Sequence, residues 1–239
     1  MIITGINAVN EALESSVTIE KLYVRNGLFS EKIRSVVKKA KEKGARVIYE
    51  DQQKIDMIFP HEKNQGIIAE TTEFIYTDLK TLLSVQASNR LFVVLAGIED
   101  PHNLGAIMRV CESAGVTGVI IPERRSVGVN EAVIRASAGA VMHVPIAKVT
   151  NINDALRLLK EDFVNVYAAD ANGTSIYSLK LQGDIAIVIG NEGKGVPELS
   201  KKLSDKIVSL PQNGKVNSLN ASVAAGIIIY EILRQRLTL

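Results

Sequence analysis

Apolar positions along the chain fall into two textures. Up to about residue 76 they recur with the periods of half-buried elements. Ile6, Val9, Ala12 and Leu13 form one stripe of a short helix within Gly5–Ser15, and Ile19–Val24 alternates like a strand with one wet face. Ser30 opens a second helix in which Ile33, Val36, Val37 and Ala40 face inward, Lys38, Lys39, Lys41 and Lys43 face outward, and Gly44 suits the end. Arg46–Tyr49 and Gly66–Glu70 read as strands, separated by a short helix near Asp51–Ile58 that Pro60 ends. Residues 77–89 carry a polar helix or linker pattern. From Leu91 the texture changes. Leu91–Gly97, Gly118–Ile121, Asn165–Ala169 and Ile185–Ile189 are unbroken apolar runs of the kind found in strands covered on both faces. Helical segments lie between them, Asn153–Glu161 among them, and a longer helix closes the chain from about Asn220 to Leu237. This alternation predicts an α/β fold: a small α/β domain over 1–76, a linker over 77–89, and a largely parallel sheet with helices on both faces over 90–239.

The last apolar run meets a polar glycine loop, Gly190-Asn191-Glu192-Gly193-Lys194-Gly195, followed by helix-compatible spacing over Val196–Leu203. Its G-x-x-G-x-G spacing is neither the G-x-G-x-x-G of dinucleotide folds nor a phosphate-cradling G-x-x-x-x-G-K-[ST]. Two more polar clusters follow strand ends: Glu99 to Arg109, containing Asn103, and Leu210 to Ser222, containing Ser218 and Asn220. Taken singly, their polar residues could be helix caps. Taken together, three clusters at the carboxyl ends of strands in one sheet converge on one crevice, where α/β folds bind ligands. None holds a nucleophile, base and orienter set. What remains is a small-ligand site built largely from main-chain groups.

Composition narrows the classes. The 239 residues are 46% hydrophobic, enough for a sizeable core, and no apolar run approaches the roughly 18–20 residues of a membrane span. Met1–Thr4 lacks the opening of a signal peptide, so a cytoplasmic location with no membrane partner is expected. A single cysteine, Cys111, and three scattered histidines, His61, His102 and His143, give no metal-ligand spacing, so no metal is expected. Net charge is only +2, so any nucleic-acid contact would rest on local patches such as Lys38-Lys39 and Arg124-Arg125.

Asn103-Leu104-Gly105 with Arg109, Ile189 to Gly195, and Leu210-Pro211 with Asn217-Ser218-Leu219-Asn220-Ala221-Ser222 resemble, in order and spacing, the three motifs of the SpoU or TrmH class of SPOUT RNA 2′-O-ribose methyltransferases. Thr4 to Val9, with Ala12-Leu13 and Asn64 to Ile67, is similar to the substrate-binding domain of bacterial enzymes that methylate a guanosine ribose in 23S ribosomal RNA. The resemblance implies an amino-terminal domain like ribosomal protein L30e and a catalytic domain whose carboxyl portion forms a deep trefoil knot, which nothing in periodicity or composition shows and which the rarity of knotted chains argues against. It implies S-adenosyl-L-methionine as cofactor, held by Gly190, Leu210 and Leu219 with Leu95, Gly97, Asn191, Gly193 and Ser218 close by, and a homodimer through the catalytic domain. It assigns the chemistry to Arg109, with Asn103, Glu192, Ser218 and Asn220 around it. Arg109, Arg124, Arg125, Lys38 and Lys39 are the expected RNA contacts. The alternatives are the same chemistry on a transfer RNA or another ribosomal position, including the antibiotic-resistance kind, and a non-catalytic RNA-binding protein. Here all three clusters are intact.

Overall fold

The computed structural model describes residues 1–15, 17–60, 64–191, 193–214 and 218–237. The chain divides into two compact units, Met1–Ile75 with Val129–His143, and Tyr76–Gly128 with Val144–Leu239.

The first unit runs β1 (Ile2–Thr4), α1 (Ile6–Glu14), β2 (Ile19–Arg25), α2 (Glu31–Glu42), β3 (Arg46–Glu50), α3 (Gln52–Ile58) and β4 (Ile67–Thr71). Its sheet has the order β1-β4-β2-β3, with β2 parallel to β3 and the other pairs antiparallel. Of the inward stripe of α1, Val9, Ala12 and Leu13 are buried and Ile6 is half-buried, and Ser30 caps α2 by accepting from the Ile33 N–H. Residues 129–143, which the sequence places in the later domain, belong to this unit. They carry α6 (Glu131–Ala136) and a 3-10 turn at Ala140–Met142. The Ile2 N–H donates to Glu131 at 2.8 Å, and His143 Nε2 lies 2.7 Å from Glu11 Oε2. Gly139 has no room for a side chain, because a Cβ there would come within 2.5 Å of the Glu11 Cβ.

The second unit contains α4 (Leu79–Leu83), β5 (Leu91–Ala96), α5 (Pro101–Ser113), β6 (Gly118–Pro122), β7 (Ile146–Val149), α7 (Ile152–Glu161), β8 (Asn165–Ser175), β9 (Ile185–Gly190), α8 (Glu198–Leu203), β10 (Lys206–Ser209) and α9 (Ala221–Leu237). Its six strands are all parallel, in the order β10-β8-β9-β5-β6-β7. The unbroken apolar runs occupy the interior strands: Leu91–Leu95 and Ile185–Ile189 are buried throughout. The stretch read as a polar helix or linker holds a docked helix. Asp78 caps α4 by accepting from the Lys80 and Thr81 N–H groups, and Leu82 is buried over Gly118, where a Cβ would come within 2.3 Å of its side chain. β8 extends past the apolar run because its polar end pairs by backbone with β10, and Gly173 passes too close to Ile207 and Val208 to carry a side chain. Among the described residues no helix is long and apolar enough to cross a membrane, and no group of side chains could hold a metal ion.

Candidate functional site

Because β10, β8, β9, β5 and β6 run parallel, their carboxyl ends open on one edge of the sheet, and the three polar clusters meet there. β9 ends at Gly190, whose bare Cα lies under the returning loop. A Cβ there would be 2.0 Å from the Gly195 carbonyl carbon and 2.2 Å from the Val196 nitrogen. The loop closes on itself. Asn191 Oδ1 accepts from the N–H groups of Gly193 and Lys194, both at 2.9 Å, and its carbonyl accepts from the Gly195 N–H at 2.8 Å. Gly195 completes the turn in the left-handed region at φ +65°.

The first cluster enters α5 through Asp100, which accepts from the His102 N–H, with Pro101 at the first helical position. Asn103 is therefore no cap. It lies in the first turn with 8% of its surface exposed. Asn220 joins the third cluster to it: Asn220 Nδ2 donates to Asn103 Oδ1 at 3.0 Å, while Asn220 Oδ1 accepts from the N–H groups of Ser222 and Val223 at the start of α9. One asparagine thus caps α9 and ties it to α5.

A cavity of about 260 Å³ opens between these elements, walled by Ile189, Gly190, Asn191, Leu210, Ser218 and Leu219. Two neighbouring hollows share Asn191 with it. One, of about 280 Å³, is lined by Asn103, Gly193 and Lys194; the other, of about 350 Å³, by Gly97, Arg124 and Arg125. The Arg124-Arg125 loop is docked by the Val127 N–H, which donates to the Ile98 carbonyl at 2.8 Å.

Of the expected cofactor residues, Gly190, Asn191, Leu210, Ser218 and Leu219 share the first cavity; Gly97 and Gly193 border the adjoining hollows. Leu95 is fully buried, in register with Ile189 inside the sheet. Arg109 is exposed on α5, and among the described residues its guanidinium has no partner. Glu192 and Asn217 lie outside the described residues. In the first unit Lys38 is exposed, while Lys39 is held by Glu14 at 2.6 Å and Asn10 at 3.1 Å.

Sequence reasoning passed over Asp170, which borders the first cavity together with Gln212 of the third cluster. Asp170 forms a 2.6 Å ion pair with Lys201, and both side chains are largely buried. The Lys201 hydrogen bond, and then the Asn172 N–H, hold its carboxyl below the usual range. Its signal was its place directly after the apolar run of β8. Burial alone pushes the Cys111 thiol up to about 12, so this side chain is an inert part of the core.

The profile of the SpoU rRNA methylase family matches residues 90–230, and that of the RNA 2′-O ribose methyltransferase substrate-binding domain matches residues 2–77. A protein of Bacillus subtilis assigned to the TrmH family of tRNA/rRNA methyltransferases is 37% identical over 98% of this chain and 95% of its own. One from Staphylococcus haemolyticus is 39% identical over 99% and 96%. Among solved structures, the rRNA methyltransferase of Sinorhizobium meliloti with AdoMet bound superposes with a TM-score of 0.83 at 25% identity, over 98% of this chain and 86% of that one. The SpoU methyltransferase AviRb of Streptomyces viridochromogenes shares the fold, with a TM-score of 0.85 at 23% identity over 100% and 91%. With its three motif clusters gathered on one sheet edge and both halves matched, the chain belongs to the SpoU rRNA methylase family of RNA methyltransferases.

Proposed function

We propose that this RNA 2′-O-ribose methyltransferase transfers the methyl group of S-adenosyl-L-methionine to a guanosine ribose in 23S ribosomal RNA, acting as a homodimer. The observation that carries the reading is the convergence at Asn191 and Asn220: the glycine loop borders all three hollows, and the third cluster is bonded to the first.

The residues around the first cavity fit the cofactor. Ile189, Leu210 and Leu219 offer apolar walls to a flat base, and Gly190, Asn191 and Gly195 bring the loop to the cavity's edge. Bound there, S-adenosyl-L-methionine supplies an electrophilic methyl group on a sulfonium sulfur whose departure as a neutral thioether needs little assistance. The chain's task is to orient the ribose and to help the hydroxyl lose its proton. Arg109 is a permanent cation without an acceptor and cannot take that proton. It binds a phosphate beside the target ribose and stabilises the developing alkoxide charge. Asn103 and Ser218 place the ribose, and Asn220 holds Asn103 in position. Glu192 is the group assigned to hold Arg109 or accept the proton.

The dimer reading is supported by α9, where Val223, Ile227 and Tyr230 recur at i, i+4 and i+7 and remain 49%, 37% and 48% exposed. The opposite face of α9 is already buried, so this second apolar stripe calls for a partner. Methyl transfer to a tRNA ribose is the second reading, favoured by relatives assigned to both RNA classes.

The test is to map 2′-O-methyl positions in total RNA from cells with and without the gene. One methyl lost from a 23S guanosine is expected. A loss from tRNA or elsewhere in rRNA would overturn the substrate assignment, and an unchanged map would favour a non-catalytic protein.

A further inference from the structure

The first unit carries a groove that the methyl-transfer site does not use. It has a volume of about 420 Å³ and lies between α2, the edge strand β3 and the segment leaving β2. Leu28, Ile33 and Val37 form its apolar lining. Two aromatic side chains stand in it largely uncovered: Phe29 is 77% exposed and Tyr49 50% exposed. The remaining side chains are cations. Arg34, Lys38 and Lys41 follow one another at i, i+4 and i+7, so they form one stripe along α2. Among the described residues the side chains of Arg34 and Lys41 have no partner, and Lys38 lies 3.9 Å from Glu42 in a solvent-exposed pair that contributes little. Lys39 points elsewhere, to Glu14 and Asn10.

Bare aromatic faces beside unneutralised cations match a ligand that is flat and apolar at one end and anionic at the other. A protein segment with that combination would need acidic and aromatic residues in register, whereas every nucleotide has it. In duplex RNA the base faces are covered by stacking, so only unpaired nucleotides offer both parts. We propose that this groove seats one or two unpaired nucleotides of the RNA substrate, with a base stacked on Phe29 or Tyr49 and flanking phosphates on Arg34, Lys38 and Lys41. The inference rests on the reading of this chain as an RNA methyltransferase and gives its amino-terminal unit a mode of selection: unpaired structure read by stacking.

The experiment uses the full chain and fluorescence anisotropy with a labelled single-stranded oligoribonucleotide and a blunt RNA duplex, each across a salt series. Phe29→Ala with Tyr49→Ala should weaken single-strand binding about tenfold or more, leave the salt slope as in the wild type, and leave duplex binding unchanged. Replacing Arg34, Lys38 and Lys41 by Gln should flatten the single-strand salt slope by about two. Both variants should keep the wild-type far-UV circular dichroism and Tm, which report an intact fold. Wild-type affinity for the single strand in the aromatic variant, an equal loss on the duplex, or a changed sedimentation coefficient in that variant would overturn the groove assignment. If the wild-type protein methylates its RNA while the groove variants bind normally, the groove alone is wrong. If the variants lose affinity but no RNA is methylated, the methyl-transfer reading fails and the groove stands.

Discussion

Replacing Gly190 by alanine tests the site at the point where the backbone leaves no room. The added methyl would sit 2.0 Å from the Gly195 carbonyl carbon, 2.2 Å from the Val196 nitrogen and 2.3 Å from the Gly195 oxygen. Non-bonded carbons rest at about 3.5–4.0 Å, so strand and loop must separate by roughly 1.5 Å. The loop cannot yield freely. Gly195 is bonded to Asn191, whose side chain holds the Gly193 and Lys194 N–H groups, and Val196 is 1% exposed within the core cluster. Overpacking of this kind costs about 1–3 kcal/mol, and one broken hydrogen bond adds about 1 kcal/mol. For a chain of this size each kcal/mol lowers Tm by about 2–4 °C, so a drop of roughly 5–15 °C is expected. Displacing the loop by more than an ångström should also lower methyl transfer about 100-fold. Differential scanning calorimetry and calorimetric titration with S-adenosyl-L-methionine measure the stability and the cofactor affinity, which should weaken at least tenfold on the same reasoning. Gly193→Ala is the control, because among the described residues its methyl would meet only Asn191 Oδ1 at an ordinary 3.6 Å and should leave Tm near the wild-type value. A Gly190→Ala protein with wild-type Tm and cofactor affinity would refute the close passage and the cavity built on it.

Arg109→Lys keeps the charge but loses the planar fork, so kcat should fall at least tenfold with unchanged cofactor affinity; if most methyl transfer survives with RNA binding intact, a fork-shaped role is untenable. Val223→Asp with Ile227→Asp places two charges on the exposed stripe of α9 and should yield monomers in sedimentation velocity, whereas a persistent dimer would move the interface elsewhere. Cys111 gives a pH signature. Its thiol is held up at about 12 in the folded chain against 9.0 ordinarily, so its contribution is present below about pH 9 and is lost as pH rises toward 12. Urea titrations from pH 9 to 11 should therefore show a limb shallower by about 1.4 kcal/mol per pH unit in Cys111→Ala than in wild type, and parallel limbs would contradict the assignment.

The interior of the fold was legible because burial on both faces leaves an unmistakable pattern. Leu91–Leu95 and Ile185–Ile189 read as covered strands and are covered strands. Two edge strands left no such mark: β1 is three residues long and β7 four, and each has a strand partner on one side only, β7 meeting on its other side no more than a single bridge from Thr77. The outer half of β8 was equally silent, since its polar residues are held by backbone bonds to β10. Helix α4 was legible only as a polar helix or linker because Leu82 alone of its leucines is fully buried, with Leu79 and Leu83 partly covered against the same core, and the absence of a side chain at Gly118 makes room for Leu82.

By itself, then, the amino-acid sequence determined the α/β class, the interior strands, the principal helices and the three clusters that carry the site. These follow from local period, capping and motif, which each segment holds within itself. Tertiary structure decided the rest. It brought Asn220 within 3.0 Å of Asn103, 117 residues earlier in the chain. It made Asn103 a buried first-turn side chain rather than a cap, brought Asp170 to the cavity, and engaged Lys39 with Glu14 while leaving Lys38 outward. It also carried residues 129–143 into the first unit. Each of these depends on distances between segments remote in sequence, which are set by strand order and packing and not by any pattern a single segment can carry.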